Sequence, residues 1–148
     1  MSLLWKAFAV GITSAALMSV AVPSAGAERG PDGQLYGAIA TGELVTDPSI
    51  PGGKRMNWGV AWNQPDQASA EQQAIQDCSY GCRVMVTWTD GCASVAESAV
   101  HLHQKTGVGA TAEEAEQNAW ANLDEHMARI PPQYNKGPHH ILVTQCNG

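Results

Sequence analysis

The side chains best suited to chemistry in this sequence are five histidines, His101, His103, His126, His139 and His140. On a strand His101 and His103 would share a face, and His139 and His140 open another strand, so a zinc or copper site is the chemistry to consider. No carboxylate or cysteine stands at ligand spacing beside them. The expectation is therefore surface histidines, with no metal, no cofactor and no catalytic residue. Cys78, Cys82, Cys92 and Cys146 offer a second chemistry. Their spacing lacks the paired C-x2-C knuckles of structural zinc, and an even number in a small exported chain reads as two disulfides. That leaves no thiol over for a nucleophile. The chain also has no G-x-S-x-G and no H-E-x-x-H. Gly107-Val108-Gly109 precedes a helix start, where backbone N–H groups can hold an anion. Glu113, Glu114 and Glu116 load that turn with negative charge, so it reads as a plain turn.

Candidates for partner binding are Lys54, Arg55 and Trp62. Lys54-Arg55 is the only adjacent basic pair, and it sits in the stretch ELVTDPSIPGGKRM, residues 43–56. Pro48, Pro51, Gly52 and Gly53 make that stretch a loop by expectation. Trp58, Trp62, Trp88 and Trp120 mostly align with core faces, and Trp62 is the one expected at the surface.

Positioning these residues requires a series of short elements. Residues 36–40 and 57–63 alternate as strands, with Trp58, Val60 and Trp62 on one face. Asp66 is an N-cap for a helix in which Ala70, Ala74 and Cys78 recur every fourth residue, beside Ile75. Asp90-Gly91, between residues 83–88 and 92–97, predicts a hairpin whose core face carries Val84, Val86, Trp88, Ala93 and Val95. Thr111 and Glu114 form a capping box for a second helix. Its stripe is Ala115, Ala119, Trp120, Leu123 and Met127. Ile130-Pro131-Pro132 stops it, and residues 140–146 form the last strand.

The two halves match in order. Tyr36-Gly-Ala-Ile-Ala corresponds to Cys92-Ala-Ser-Val-Ala, Gly59-Val60 to Gly107-Val108, Ala70-Glu-Gln-Gln-Ala to Ala115-Glu-Gln-Asn-Ala, and Arg83-Val-Met-Val-Thr to His140-Ile-Leu-Val-Thr. The predicted fold is α+β, a mostly antiparallel sheet with two helices on one face, built as two strand-strand-helix-strand units with two disulfides. Cys146 then aligns with Thr89, on the same face as Cys92. Of three connectivities, this favours Cys78 with Cys82 and Cys92 with Cys146.

The YGAIA strand, the WGVAW strand, the A-E-x-x-A-I-x-x-C helix, the GCRV strand and the CASVA strand together resemble the bacterial secreted family called domain of unknown function 4189. The resemblance covers about residues 36–123 and is most specific over 70–96, with Cys78, Cys82 and Cys92. It implies an exported protein, of a kind found in actinobacteria among others, and carries over no catalytic motif.

Residues 1–27 have the parts of a signal peptide: Lys6, an apolar run, and Ala25-Gly26-Ala27 at the cleavage site. Residues 28–34 are expected to be a flexible leader and 35–148 one disulfide-stabilised domain. The formal charge is −6, and loss of Lys6 makes it about −7, which repels nucleic acid. No stable membrane insertion is expected after cleavage. The functional expectation is a secreted, non-enzymatic binding module acting at the cell envelope or on a host or competitor protein. The alternative is a small secreted hydrolase using His101, His103 or His139 with a metal or a carboxylate.

Overall fold

Eight elements follow one another as β1 (Tyr36–Thr46), β2 (Lys54–Gln64), α1 (Gln67–Cys78), β3 (Arg83–Thr89), β4 (Cys92–Ser98), β5 (Gln104–Gly109), α2 (Ala112–Ala128) and β6 (His139–Cys146). They come from a computed structural model that describes residues 28–49, 53–98, 103–133 and 137–148. The signal peptide expected over 1–27 lies outside the described residues, as does His101.

Two copies of one topology are present. The strands form two antiparallel three-stranded sheets, ordered β2-β1-β3 and β5-β4-β6. The α+β class, the antiparallel pairing and the two disulfides follow the expectation, but the single sheet resolves into two. Each sheet carries its own helix. Strand alternation explains the layering. Ala38, Ala40 and Ala61 face Ala70, Ala74 and Cys78 of α1. Between them, Ile39 and Val60 turn the other way and meet Trp88, Ala93 and Val95, so the two sheets bury their inner faces against each other. Ala96 points outward to Ala119, Leu123 and Met127 of α2. The order of layers is therefore helix, sheet, sheet, helix.

The repeat reaches the register. Tyr36 pairs Thr89, Ile39 pairs Val86, and a bulge then moves Ala40 opposite Val84. In the second sheet Cys92 pairs Cys146, Val95 pairs Val143, and a bulge at the same step moves Ala96 opposite Ile141. The bulge passes over Met85, which turns Val84 to the α1 side while Val86 stays between the sheets. One match shifts. Ala38 pairs Ala61 whereas its counterpart Ser94 pairs Gly107, so Gly107 is the register equivalent of Ala61, two residues from Gly59. A shift of two preserves the face.

The expected β3–β4 hairpin is not formed. Asp90 and Gly91 do take the positive φ values of a tight turn, 48° and 55°. Yet β3 pairs with β1, and β4 with β5 and β6. The turn's own backbone is engaged elsewhere: Asp90 N–H donates to the Leu35 carbonyl at 2.8 Å, and Asn147 N–H donates to the Gly91 carbonyl at 2.8 Å. The turn therefore passes the chain from one sheet to the other. Ahead of β1, Gly30 N–H donates to the Gln34 carbonyl at 3.0 Å and Arg29 reaches Asp90 at 3.2 Å.

Both disulfides join the predicted partners, Cys78–Cys82 with Cα atoms 6.1 Å apart and Cys92–Cys146 with Cα atoms 4.0 Å apart. The first closes the end of α1, where Ser79 takes φ 82°. The second joins residues directly opposite on neighbouring strands. The expectation of that pairing leans on the Asp90-Gly91 hairpin, which sets Cys92 opposite Thr89; the structure reaches the same bridge through the repeat, where Cys92 stands to Cys146 as Tyr36 stands to Thr89.

Both helices start as their residue types dictate. Asp66 accepts from Ser69 N–H at 2.8 Å, and its carboxyl is held below the usual carboxylate range by those Ser69 hydrogen bonds. Thr111 accepts from Glu114 N–H at 3.2 Å, while the Glu114 carboxylate accepts from Ala110 N–H at 2.8 Å, one residue before the expected donor. Among the described residues no helix is long and apolar enough to cross a membrane.

Candidate functional site

Residues 43–56 are less of a loop than their prolines and glycines suggested. β1 runs on to Thr46 and β2 starts at Lys54, with Leu44 opposite Met56, Val45 opposite Arg55 and Thr46 opposite Lys54. The breakers are confined in sequence to residues 48–53, which lie between the paired residues Thr46 and Lys54. Because β3 pairs only with residues 36–41 of β1, the stretch beyond is a two-stranded arm extending past the sheet. Arg55 Nε lies 2.9 Å from Asp47 Oδ2 across the arm. The Asp47 carboxyl is lowered, first by hydrogen bonds from Ser49 and then by Arg55. Both side chains are partly exposed, so solvent screens the pair and it adds little to stability.

The arm displays apolar surface. Leu44 is 50% exposed and Trp58 41%, and Met56 lies between them on the same side by alternation. Trp58 was expected in the core with Val60. Val60 is buried, but β2 is the edge strand of its sheet, and only its middle is covered by the second sheet. Trp62 is 45% exposed, as expected. Lys54 and Arg55 stand at one end of β2 and Trp62 near the other, about 23 Å apart along an extended strand. The three candidates therefore divide between two ends of one edge. The paired basic residues were themselves a sequence signal for that edge, since charge is how exposed edge strands are kept from pairing.

At its far end β2 makes a hollow with α1. Val60, Ala61, Trp62, Gln64, Gln73 and Asp77 line a volume of about 230 Å³. A register shift between Tyr36 and Ala38 leaves Trp62 and Asn63 bulged, with Asn63 at φ 56°. Asn63 N–H donates to Asn147 Oδ1 at 2.7 Å, which anchors the bulge to the last residues of the chain. Gln64 Nε2 donates to the Trp62 carbonyl at 3.1 Å, and Gln73 Nε2 to Asp77 Oδ1 at 2.9 Å.

The described histidines separate into local pairs instead of one centre. His103 Nδ1 and His126 Nε2 face each other at 3.3 Å. His139 stacks on Trp120 and lies 3.8 Å from Asp124, while His140 lies 3.6 Å from Glu97. Glu97 is a buried carboxylate that the sequence had given no reason to single out, and Gln104 donates to it at 2.7 Å. The pKa of His126 is lowered, first by burial and then by Lys105, His103 and Arg129. Among the described residues no group of three or more His, Cys, Asp or Glu is placed to hold a metal ion.

A cleft also runs between the edge strands β3 and β5, as two volumes of about 440 and 470 Å³ that share Thr87 and Val108. Its β5 side is closed to strand pairing at two points. Asn118 and Asn122 of α2 donate to the carbonyls of Val108 and Thr106, each at 2.8 Å.

No curated protein and no solved structure matches the chain. The family model described as Domain of unknown function (DUF4189) matches residues 36–132. That span starts at the first residue of β1 and ends just past α2, taking in seven of the eight elements and the Cys78–Cys82 bridge. On the strength of that match, the chain is a member of the DUF4189 family.

Proposed function

We propose that the chain is a secreted, non-enzymatic binding module that recognises its partner through the arm formed by β1 and β2. The observation that carries this reading is the apolar surface on the arm, with Leu44 and Trp58 exposed beside Lys54 and Arg55. Large apolar side chains cost free energy in water, by about 25 cal/mol per Å² of apolar surface, and a partner would cover them. A ribbon paired on one side only also has a free edge for a partner strand. The disulfides are compatible with an oxidising, extracellular setting.

The test is capture from envelope and host extracts by the wild-type protein and by a variant carrying Leu44→Ser, Lys54→Glu and Arg55→Glu. A partner bound by the wild type and lost by the variant is the expected result. Equal capture by both would remove the arm from the reading, and no reproducible partner would count against the module itself.

A second reading, a small secreted hydrolase, draws on Glu97. Its buried carboxylate beside His140 is the arrangement by which a carboxylate orients a histidine base. Hydrolytic activity in the purified protein that disappears with His140→Ala would favour it.

A further inference from the structure

We propose that the hollow around Trp62 is a carbohydrate site, taking one neutral or amino-sugar ring of a polysaccharide whose chain continues along β2 toward Trp58. The proposal rests on the reading of the protein as a binding module and names a ligand class for the end of β2 away from the arm.

A sugar ring presents two kinds of surface, a face of C–H groups and a rim of hydroxyls that both donate and accept. The hollow offers a counterpart to each. The Trp62 indole, 45% exposed, is a flat apolar surface for the C–H face. Gln64, Gln73 and Asp77 are planar polar groups around it. An amide both donates and accepts and a carboxylate accepts twice, so the trio can meet adjacent hydroxyls. All three are already engaged. Gln64 is tied to the Trp62 backbone, and Gln73 is tied to Asp77 one helical turn away, with hydrogen-bonding capacity left on each. Prior fixing lowers the ordering cost of binding. The volume of about 230 Å³ equals that of about eight liquid waters, room for one six-membered ring with its hydroxyls.

Charge narrows the ligand. Asp77 is the one charged residue lining the hollow, and the chain carries −6 overall. A polyanion would meet like charge; a neutral or amino-sugar polymer would not. Spacing separates a polysaccharide from a protein partner. Trp58 is four residues before Trp62 on the same edge strand, about 13 Å away along an extended chain. Val60, between them, is only 7% exposed. Two separate aromatic platforms suit a chain of linked rings, whereas a protein hot spot needs a contiguous desolvated centre.

The experiment uses the mature protein on insoluble chitin and cellulose and on acidic polygalacturonate, comparing wild type with Trp62→Ala, Trp58→Ala and Gln73→Ala. Retention is expected on chitin or cellulose, about tenfold weaker for Trp62→Ala and several-fold weaker for Trp58→Ala. Melting temperature is recorded for each protein, and should Trp62→Ala lower it, Gln73→Ala on the exposed side of α1 carries the comparison. Absence of retention on both neutral polymers overturns the proposal, as does retention insensitive to these substitutions or a preference for polygalacturonate. A protein partner captured through the arm, together with no retention on chitin or cellulose, overturns the carbohydrate site and leaves the binding-module reading standing.

Discussion

Gly59 and Gly107 set how closely each helix lies on its sheet. A Cβ at Gly59 would overlap the Ala74 carbonyl and the Cys78 amide, and one at Gly107 the Ala115 carbonyl and the Ala119 amide. Those obstacles are helix backbone, which cannot step aside. Alanine at either position should destabilise by about 1–3 kcal/mol, measured by denaturant unfolding. Both Gly-Val pairs were visible in the sequence as a match between halves. Their meaning was hidden, because the obstacle lies on another element. His126 gives a pH dependence of known sign. Its folded pKa lies below the ordinary 6.5, since burial and the cations Lys105 and Arg129, with His103 when protonated, disfavour its charged form. Glu125 lies in the same surface hollow as His126, Lys105 and Arg129, and its carboxylate is paired with Arg129. Folding therefore favours the neutral ring. Its contribution is whole above the unfolded value of about 6.5 and is lost as pH falls through the lower folded value. An NMR titration should place the His126 midpoint below that of an ordinary histidine, and His126→Gln should flatten stability between about pH 7 and 5. A midpoint at or above the ordinary value would contradict the burial argument.

At the scale of elements, local chemistry was legible and partner choice was not. Asp66 and Thr111 announced both helices because a cap acts within its own turn. Asp90-Gly91 announced a turn equally well, but which strands pair across it depends on β1, some fifty residues earlier. The prolines and glycines of residues 43–56 likewise hid the arm, since three residues at each end of that stretch keep ladder geometry while the breakers gather between them. The asparagines of α2 were unreadable for the opposite reason: they look like ordinary surface residues until β5 is seen beneath them. Replacing Asn118 and Asn122 with alanine should cost about 1 kcal/mol per hydrogen bond. It should also uncover the Thr106 and Val108 carbonyls on an edge strand, and light scattering should then show increased self-association.

Across the whole molecule, the duplication was the most informative signal in the sequence, because it laid out the same order of elements in both units and aligned Cys146 with Thr89. The halves are nevertheless stapled differently. Cys78–Cys82 spans 4 positions and Cys92–Cys146 spans 54. In the chain-entropy model the short bridge contributes about 2 kcal/mol and the long one about 4. Cys146→Ser should therefore lower the melting temperature more than Cys78→Ser in parallel thermal scans. The long bridge has one more consequence, for survival outside the cell. It turns β4, β5, α2 and β6 into a covalent ring, so a protease that cuts once anywhere between residues 92 and 146 separates nothing. The nicked protein would migrate at full size until reductant is added. A single cut in the first unit, outside its five-residue ring at Cys78–Cys82, would leave two pieces with no covalent link, which separate on a denaturing gel without reductant.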